Sequence, residues 1–326
     1  MYNSIDFDNF GKNYYAEWGF YIYMSAFKFL DIDFWIFAIL TKAVCLLIII
    51  YYLKRCLEND VLLGLMYFVP WYGFYLFIDC PMRNMIAVSI FLLSIQYIIK
   101  RNIIKYLILS MIAISFHTTA IVLIPIYFLN KRFSLSFCII IFLIVNIIFI
   151  SRDNIINIGL YLFSNIPYIA SKIEGYMLGG SVYAEGRDFS WGMLIHLAFF
   201  ILILCKRKCI EKGRNGILIF NLAIVYLLFY RLAITIEIFM RFQLYASPFF
   251  CIALIRIAQT MPLKLKVAYV TYLLCVSSIG SLRIFADSRY IPYTSYIPYM
   301  LQGNYPSFEY RSLYNYEHSP YSYKDK

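Results

Sequence analysis

Charge is scarce in this sequence. Only 14% of its 326 residues are Asp, Glu, Lys or Arg, while 62% are hydrophobic, which excludes a water-soluble surface. The usual enzyme signatures are missing as well: no HExxH, no Gly-rich phosphate loop, no GxSxG and no paired acidic motif, which argues against zinc protease, ATPase and serine hydrolase chemistry. The eight cysteines show no pairing pattern outside the apolar runs, so a disulfide framework is not expected. Cys205 and Cys209 flank a basic cluster without nearby histidines and read as ordinary helix residues rather than zinc ligands. Residues 1–18 are polar and acidic, without the basic start and apolar core of a signal peptide.

What is present is a series of apolar runs: Phe34 to Leu53, Met85 to Ile99, Phe133 to Ile150, Met193 to Cys205 and Val267 to Phe285. They approach or reach the ~20 residues that cross a bilayer as a helix. A transmembrane β-barrel would alternate strictly over segments of roughly 10 residues, whereas these runs are apolar on every side. The expected class is all-α, a polytopic transmembrane helical bundle of roughly 9–11 membrane segments, some short or re-entrant.

The net charge of +11 falls in short clusters between the runs and marks topology rather than nucleic-acid binding. Lys54/Arg55, Lys100/Arg101/Lys105, Lys131/Arg132, Lys206 to Arg214 and Arg256/Lys264/Lys266 all read as cytoplasmic. Alternation then puts 79–84, 151–188, 231–241 and a Tyr-rich tail 287–326 outside, against a membrane domain of 1–286. The segment Trp18 to Leu30 is short, and interfacial, re-entrant and tilted-span readings all remain open. Tyrosines 161, 168, 176 and 183 of the long external loop suit either sugar stacking or an aromatic belt at the headgroups.

One stretch does not fit alternation. Ile103 to Leu129 has basic clusters at both ends, yet its about 27 residues are too few for two spans of ~20 each. Two short helices meeting part-way, with Ser115-Phe116-His117-Thr118-Thr119 at the apex, satisfy both constraints; a single tilted helix would put one basic cluster outside. Polar backbone at depth is tolerated only inside protein or beside a water-filled cavity, so this apex is a site candidate.

The polar residues that topology leaves unexplained are Arg83, His117, Arg231 and Arg241. Arg83 alone also reads as a snorkelling side chain paired with Asp79, and Arg231 and Arg241 as structural ion pairs. His196, in mid-span, reads as packing or a helix–helix hydrogen bond. Arginine donates forked hydrogen bonds to phosphate and diphosphate, and a neutral histidine accepts a proton from a sugar hydroxyl. Together they suit glycosyl transfer from a polyprenyl diphosphate sugar, with no metal or other cofactor required.

The motifs Glu17-Trp18-Gly19-Phe20, Met82-Arg83-Asn84-Met85-Ile86-Ala87, Ile114-Ser115-Phe116-His117-Thr118-Thr119-Ala120, Arg241-Phe242-Gln243-Leu244-Tyr245 and Ile297-Pro298-Tyr299 resemble those of the EpsG family of Wzy-type polysaccharide polymerases. The resemblance implies a GT-C-like or Wzy-like fold and a multi-pass enzyme of the bacterial cytoplasmic membrane. Such an enzyme joins undecaprenyl-diphosphate-linked oligosaccharide repeats into surface polysaccharide on the outer face. Implied partners are that substrate, membrane lipid, a chain-length regulator and other assembly proteins. By position, His117, Arg83 and Arg241 match catalytic motif residues, with Arg231, Glu17, Tyr176 and Tyr245 as substrate-binding candidates. The family's opening hydrophobic helices, with their outer Gly-Leu-Arg and Gly-Thr-Asp stretch, find a match to their end only in Ser4-Ile5-Asp6-Phe7 with Tyr14 and Tyr15, so the chain is expected to start late or to be cut short. A lipid-linked sugar transporter and a scaffold of an export complex are the alternatives; the former predicts repeated halves, and no convincing repeat is present.

Overall fold

Apolar runs bounded by capping residues become helices. In the computed structural model, which describes residues 17–165, 190–236, 239–287 and, with breaks at 294, 296 and 304–305, 290–319, every regular element is helical and the described residues contain no strand. The first are α1 (Trp18–Phe29), α2 (Phe34–Leu57), α3 (Val61–Phe68), α4 (Met82–Ile99) and α5 (Ile103–Phe116). A 3-10 turn (Thr118–Val122), the short α6 (Leu123–Ile126) and a second 3-10 turn (Tyr127–Leu129) lead to α7 (Leu135–Ile148) and α8 (Arg152–Phe163). After the undescribed part of the long loop come α9 (Trp191–Cys205), α10 (Arg207–Lys212), α11 (Gly216–Thr235), α12 (Met240–Gln259) and α13 (Leu263–Phe285), then α14 (Ile297–Gln302) and α15 (Phe308–His318) in the tail. Asp33, Asn102, Ser134 and Ser190 cap α2, α5, α7 and α9 by accepting backbone N–H groups of the first turn.

Among the described residues, length and apolarity make five helical stretches able to cross a membrane, Phe34–Gly73, Met82–Ile99, Gly216–Thr235, Met240–Gln259 and Leu263–Leu282, with four shorter apolar helices beside them. This is an integral membrane helical bundle. Its axis is α12, in which every residue from Gln243 to Ala258 is buried. At the periphery, α7 turns Ile140, Leu143, Ile144 and Ile147 outward, a surface that only lipid stabilises. After α3 the chain continues as π-helical turns, Val69–Gly73 and Tyr75–Asp79, where Pro70 supplies no N–H for the regular ladder.

The basic clusters converge on one end of the bundle. Arg256, near the end of α12, donates to the carbonyls of Cys56 (3.2 Å), Ile210 (3.0 Å) and Arg214 (2.6 Å). Lys266 pairs with Asp60 at 3.2 Å, Arg132 and Arg207 both pair with Glu211, and Arg207 also donates to the Phe133 carbonyl. Guanidinium groups here take up carbonyls at helix ends, Cys56 and Ile210, and in the turns between helices, Phe133 and Arg214.

The stretch 103–129 is a helical hairpin. At His117 the backbone is extended (φ −152°, ψ 122°), which ends α5 and rules out one continuous helix. The legs are joined where Tyr106 Oη donates to the Leu123 carbonyl at 2.6 Å. Asn221 of α11 donates to the Leu129 and Lys131 carbonyls, which holds the returning leg at the basic end.

Two boundaries differ from expectation. The connection expected over 231–241 is shorter than that, because α11 runs on to Thr235 and α12 begins at Met240. The long loop is not wholly irregular, since it opens with α8.

Candidate functional site

At the end of the bundle away from the basic clusters, three elements distant in sequence meet at one carboxylate. Glu17 stands immediately before α1, Arg83 lies in the first turn of α4, and His117 is the break of the hairpin. His117 Nδ1 donates to Glu17 Oε1 at 2.6 Å, the Thr118 backbone N–H donates to the same oxygen at 3.3 Å, and the Arg83 guanidinium forms an ion pair with Oε2. His117 is 2% exposed and its Nε2 has no hydrogen-bond partner among the described residues. Burial alone raises the Glu17 carboxyl. The hydrogen bond from His117, the charge His117 carries when protonated, the Arg83 charge and the Thr118 N–H together outweigh burial, and they hold the group below the ordinary carboxylate range.

The elements fit closely enough to make that meeting possible. A Cβ on Gly19 would lie 2.2 Å from Ser115 Oγ and 3.0 Å from the Ser115 carbonyl carbon, so glycine is what lets α1 approach the last turn of α5. Tyr23 packs edge-on against Phe116 and hydrogen-bonds Thr41 at 2.9 Å, tying α1 to both the hairpin and α2.

On the other side of the hairpin break, Thr119 Oγ1 and Tyr245 Oη are 3.2 Å apart. Arg241 lies four residues before Tyr245, on the same face of α12, and is half-buried. The apex is thus flanked by Glu17 and Arg83 on one side and Tyr245, with Arg241 one turn away, on the other. Asn84, next to Arg83, is fully buried; its amide nitrogen donates to Cys80 Sγ at 3.3 Å, and its Oδ1 has no hydrogen-bond partner among the described residues.

The structure does not bring Arg231 to this cluster. It lies within α11, buried, donating to the Phe149 carbonyl and to Met193 Sδ, and Thr235 donates to the same carbonyl at 3.0 Å. Tyr176 lies outside the described residues. His196 is held by the Gly192 carbonyl (2.7 Å) and the Tyr226 hydroxyl (3.3 Å), within an aromatic cluster apart from the apex.

Sequence reasoning named Glu17 as a substrate-binding candidate but missed that Arg83 and His117 share its carboxylate. Its motif was visible, but nothing in the chain indicated that Arg83 and His117 would face the same group. Asn84 was missed too; its only signal was its place beside Arg83.

The EpsG family model matches residues 1–299 of the 326. The chain belongs to the EpsG family. No curated protein and no solved structure matches it. Membership suggests a polysaccharide-polymerase role, and Glu17, Arg83, His117, Arg241 and Tyr245 all lie within the matched span.

Proposed function

We propose that this EpsG-family protein is a glycosyltransferase of the bacterial cytoplasmic membrane that joins undecaprenyl-diphosphate-linked oligosaccharide repeats into a surface polysaccharide. The observation that carries this reading is the Arg83–Glu17–His117 cluster, in which an arginine and a histidine share one carboxylate and His117 Nε2 has no hydrogen-bond partner among the described residues. Because Glu17 accepts from Nδ1, the neutral histidine has its lone pair on Nε2, the tautomer a general base needs. In the transfer, an acceptor hydroxyl oxygen bonds to the anomeric carbon of the donor sugar and gives its proton to His117 Nε2. The bond between that carbon and the lipid diphosphate breaks, and the diphosphate leaves with the electron pair. Arg83 and Arg241 stabilise the charge developing on it, and Tyr245 orients the hairpin through Thr119. Glu17 is a positioning residue that acts through His117.

The test is purified protein incubated with a defined lipid-linked repeat, with product length as readout. His117→Ala is expected to lower the rate ~10²–10⁴-fold and Arg83→Ala ~10²–10³-fold, with both proteins still inserting. Full-length ladders from both variants overturn the assignment. Repeats moved across the bilayer but never joined favour a transporter.

A further inference from the structure

At the basic end of the bundle, far from the histidine cluster, a cavity of ≈ 240 Å³ opens between α2, the end of α4 and the turn before α11. Its mouth carries Arg55, Lys100 and Arg214, and no Asp or Glu lines it. The ion pairs described at this end engage Arg132, Arg207 and Lys266 with Glu211 and Asp60, so none of the cavity's three cations has a carboxylate partner among the described residues. The site is built rather than incidental. The Arg214 carbonyl is held at 2.6 Å by buried Arg256, and Gly213 leaves room for that guanidinium, since a Cβ there would lie 2.6 Å from its central carbon. Asn215, in the left-handed conformation (φ 56°), starts the 20-residue α11 without a side-chain cap and borders the cavity. The positive end of that helix therefore adds to the three side-chain charges. One wall is apolar, formed by Ile48, Leu92 and Ile99, and it runs out to lipid-facing Leu93 and to Tyr51 at the rim.

Cations that have no carboxylate partner among the described residues, set over an apolar wall, match an amphiphile with an anionic head. We propose that this cavity binds the phosphoryl headgroup of an anionic phospholipid from the basic-side leaflet, with acyl chains lying along Ile48, Leu92 and Ile99. Basic pockets between transmembrane helices on the cytoplasmic side recognise such headgroups, and that leaflet is the anionic one. A free phosphate shares the head chemistry and leaves the apolar wall unused.

The experiment is native mass spectrometry of the full chain in detergent, offered phosphatidylglycerol, phosphatidylcholine or inorganic phosphate alone. Wild type is expected to retain phosphatidylglycerol selectively, and the R55Q/K100Q/R214Q variant to bind it roughly 100-fold more weakly. The R55K/R214K variant, which keeps the charge, retains it. Inorganic phosphate neither stays bound nor displaces the lipid. As a measurement independent of the variants, phosphatidylglycerol with a photoreactive acyl chain labels wild type at Ile48, Leu92 or Ile99. Equal retention of the two lipids, undiminished binding by the glutamine variant, displacement by phosphate, or labelling confined to other helices each overturns the proposal.

Discussion

Replacing Glu17 by glutamine preserves the side chain's shape and removes the charge that Arg83 and His117 both face. Glu17→Gln is expected to lower the rate less than His117→Ala, because the base remains while its tautomer is no longer imposed, and Glu17→Ala is expected to lose more. A pH effect follows in sign. Glu17 is held below its ordinary value, so the stabilisation it lends the α1–hairpin junction is complete above the unfolded value of ~4.3 and is lost as pH falls through the folded one. Thermal unfolding followed below about pH 4 should show a loss in wild type that Glu17→Gln, already destabilised, does not share. At this scale the residue types were legible in the sequence, since arginine and histidine on the expected outer side stand out in so apolar a chain. Their partners were not. Arg83 pairs with Glu17, 66 positions away, where proximity in sequence had suggested Asp79.

The helical hairpin and α1 form the element that the site depends on. Gly19→Val is expected to push α1 away from Ser115 and open the Glu17–His117 contact, lowering polymer yield at least about tenfold while the protein still inserts. A wild-type yield from that variant contradicts the proposed role of the junction. Asn221→Ala removes the donor shared by the Leu129 and Lys131 carbonyls and should cost about 1–3 kcal/mol, read as a lower unfolding temperature in detergent. The hairpin itself was legible from length and charge, because basic clusters at both ends of too short an apolar run admit few other arrangements. Its break at His117 coincides with the expected polar apex. The boundary of α11 was not legible. Arg231 looked like the start of an external segment, but a guanidinium that finds the Phe149 carbonyl can stay inside a helix that continues one more turn.

For the whole molecule, the basic end acts as a clamp. Arg256, 3% exposed, holds carbonyls from the end of α2, from α10 and from the turn before α11. Arg256→Gln leaves several of these buried groups without donors and is expected to destabilise the bundle by about 3–5 kcal/mol, more than any single outer-end substitution. Thermal unfolding in detergent checks the ranking. Because clamp and hairpin apex lie at opposite ends, activity per folded molecule should change little in that variant.

Composition and the spacing of basic clusters were enough to determine the solvent, the helical class, the order of the membrane segments and the presence of a broken segment. These follow from one-dimensional constraints: the length needed to cross hydrocarbon and the cost of moving charge into it. Only the tertiary structure decided which unexplained polar residues share a carboxylate, which ones tie helices together, and where three basic side chains surround an apolar-walled cavity. Those outcomes depend on which helix ends meet, and packing brings together residues that the chain keeps far apart.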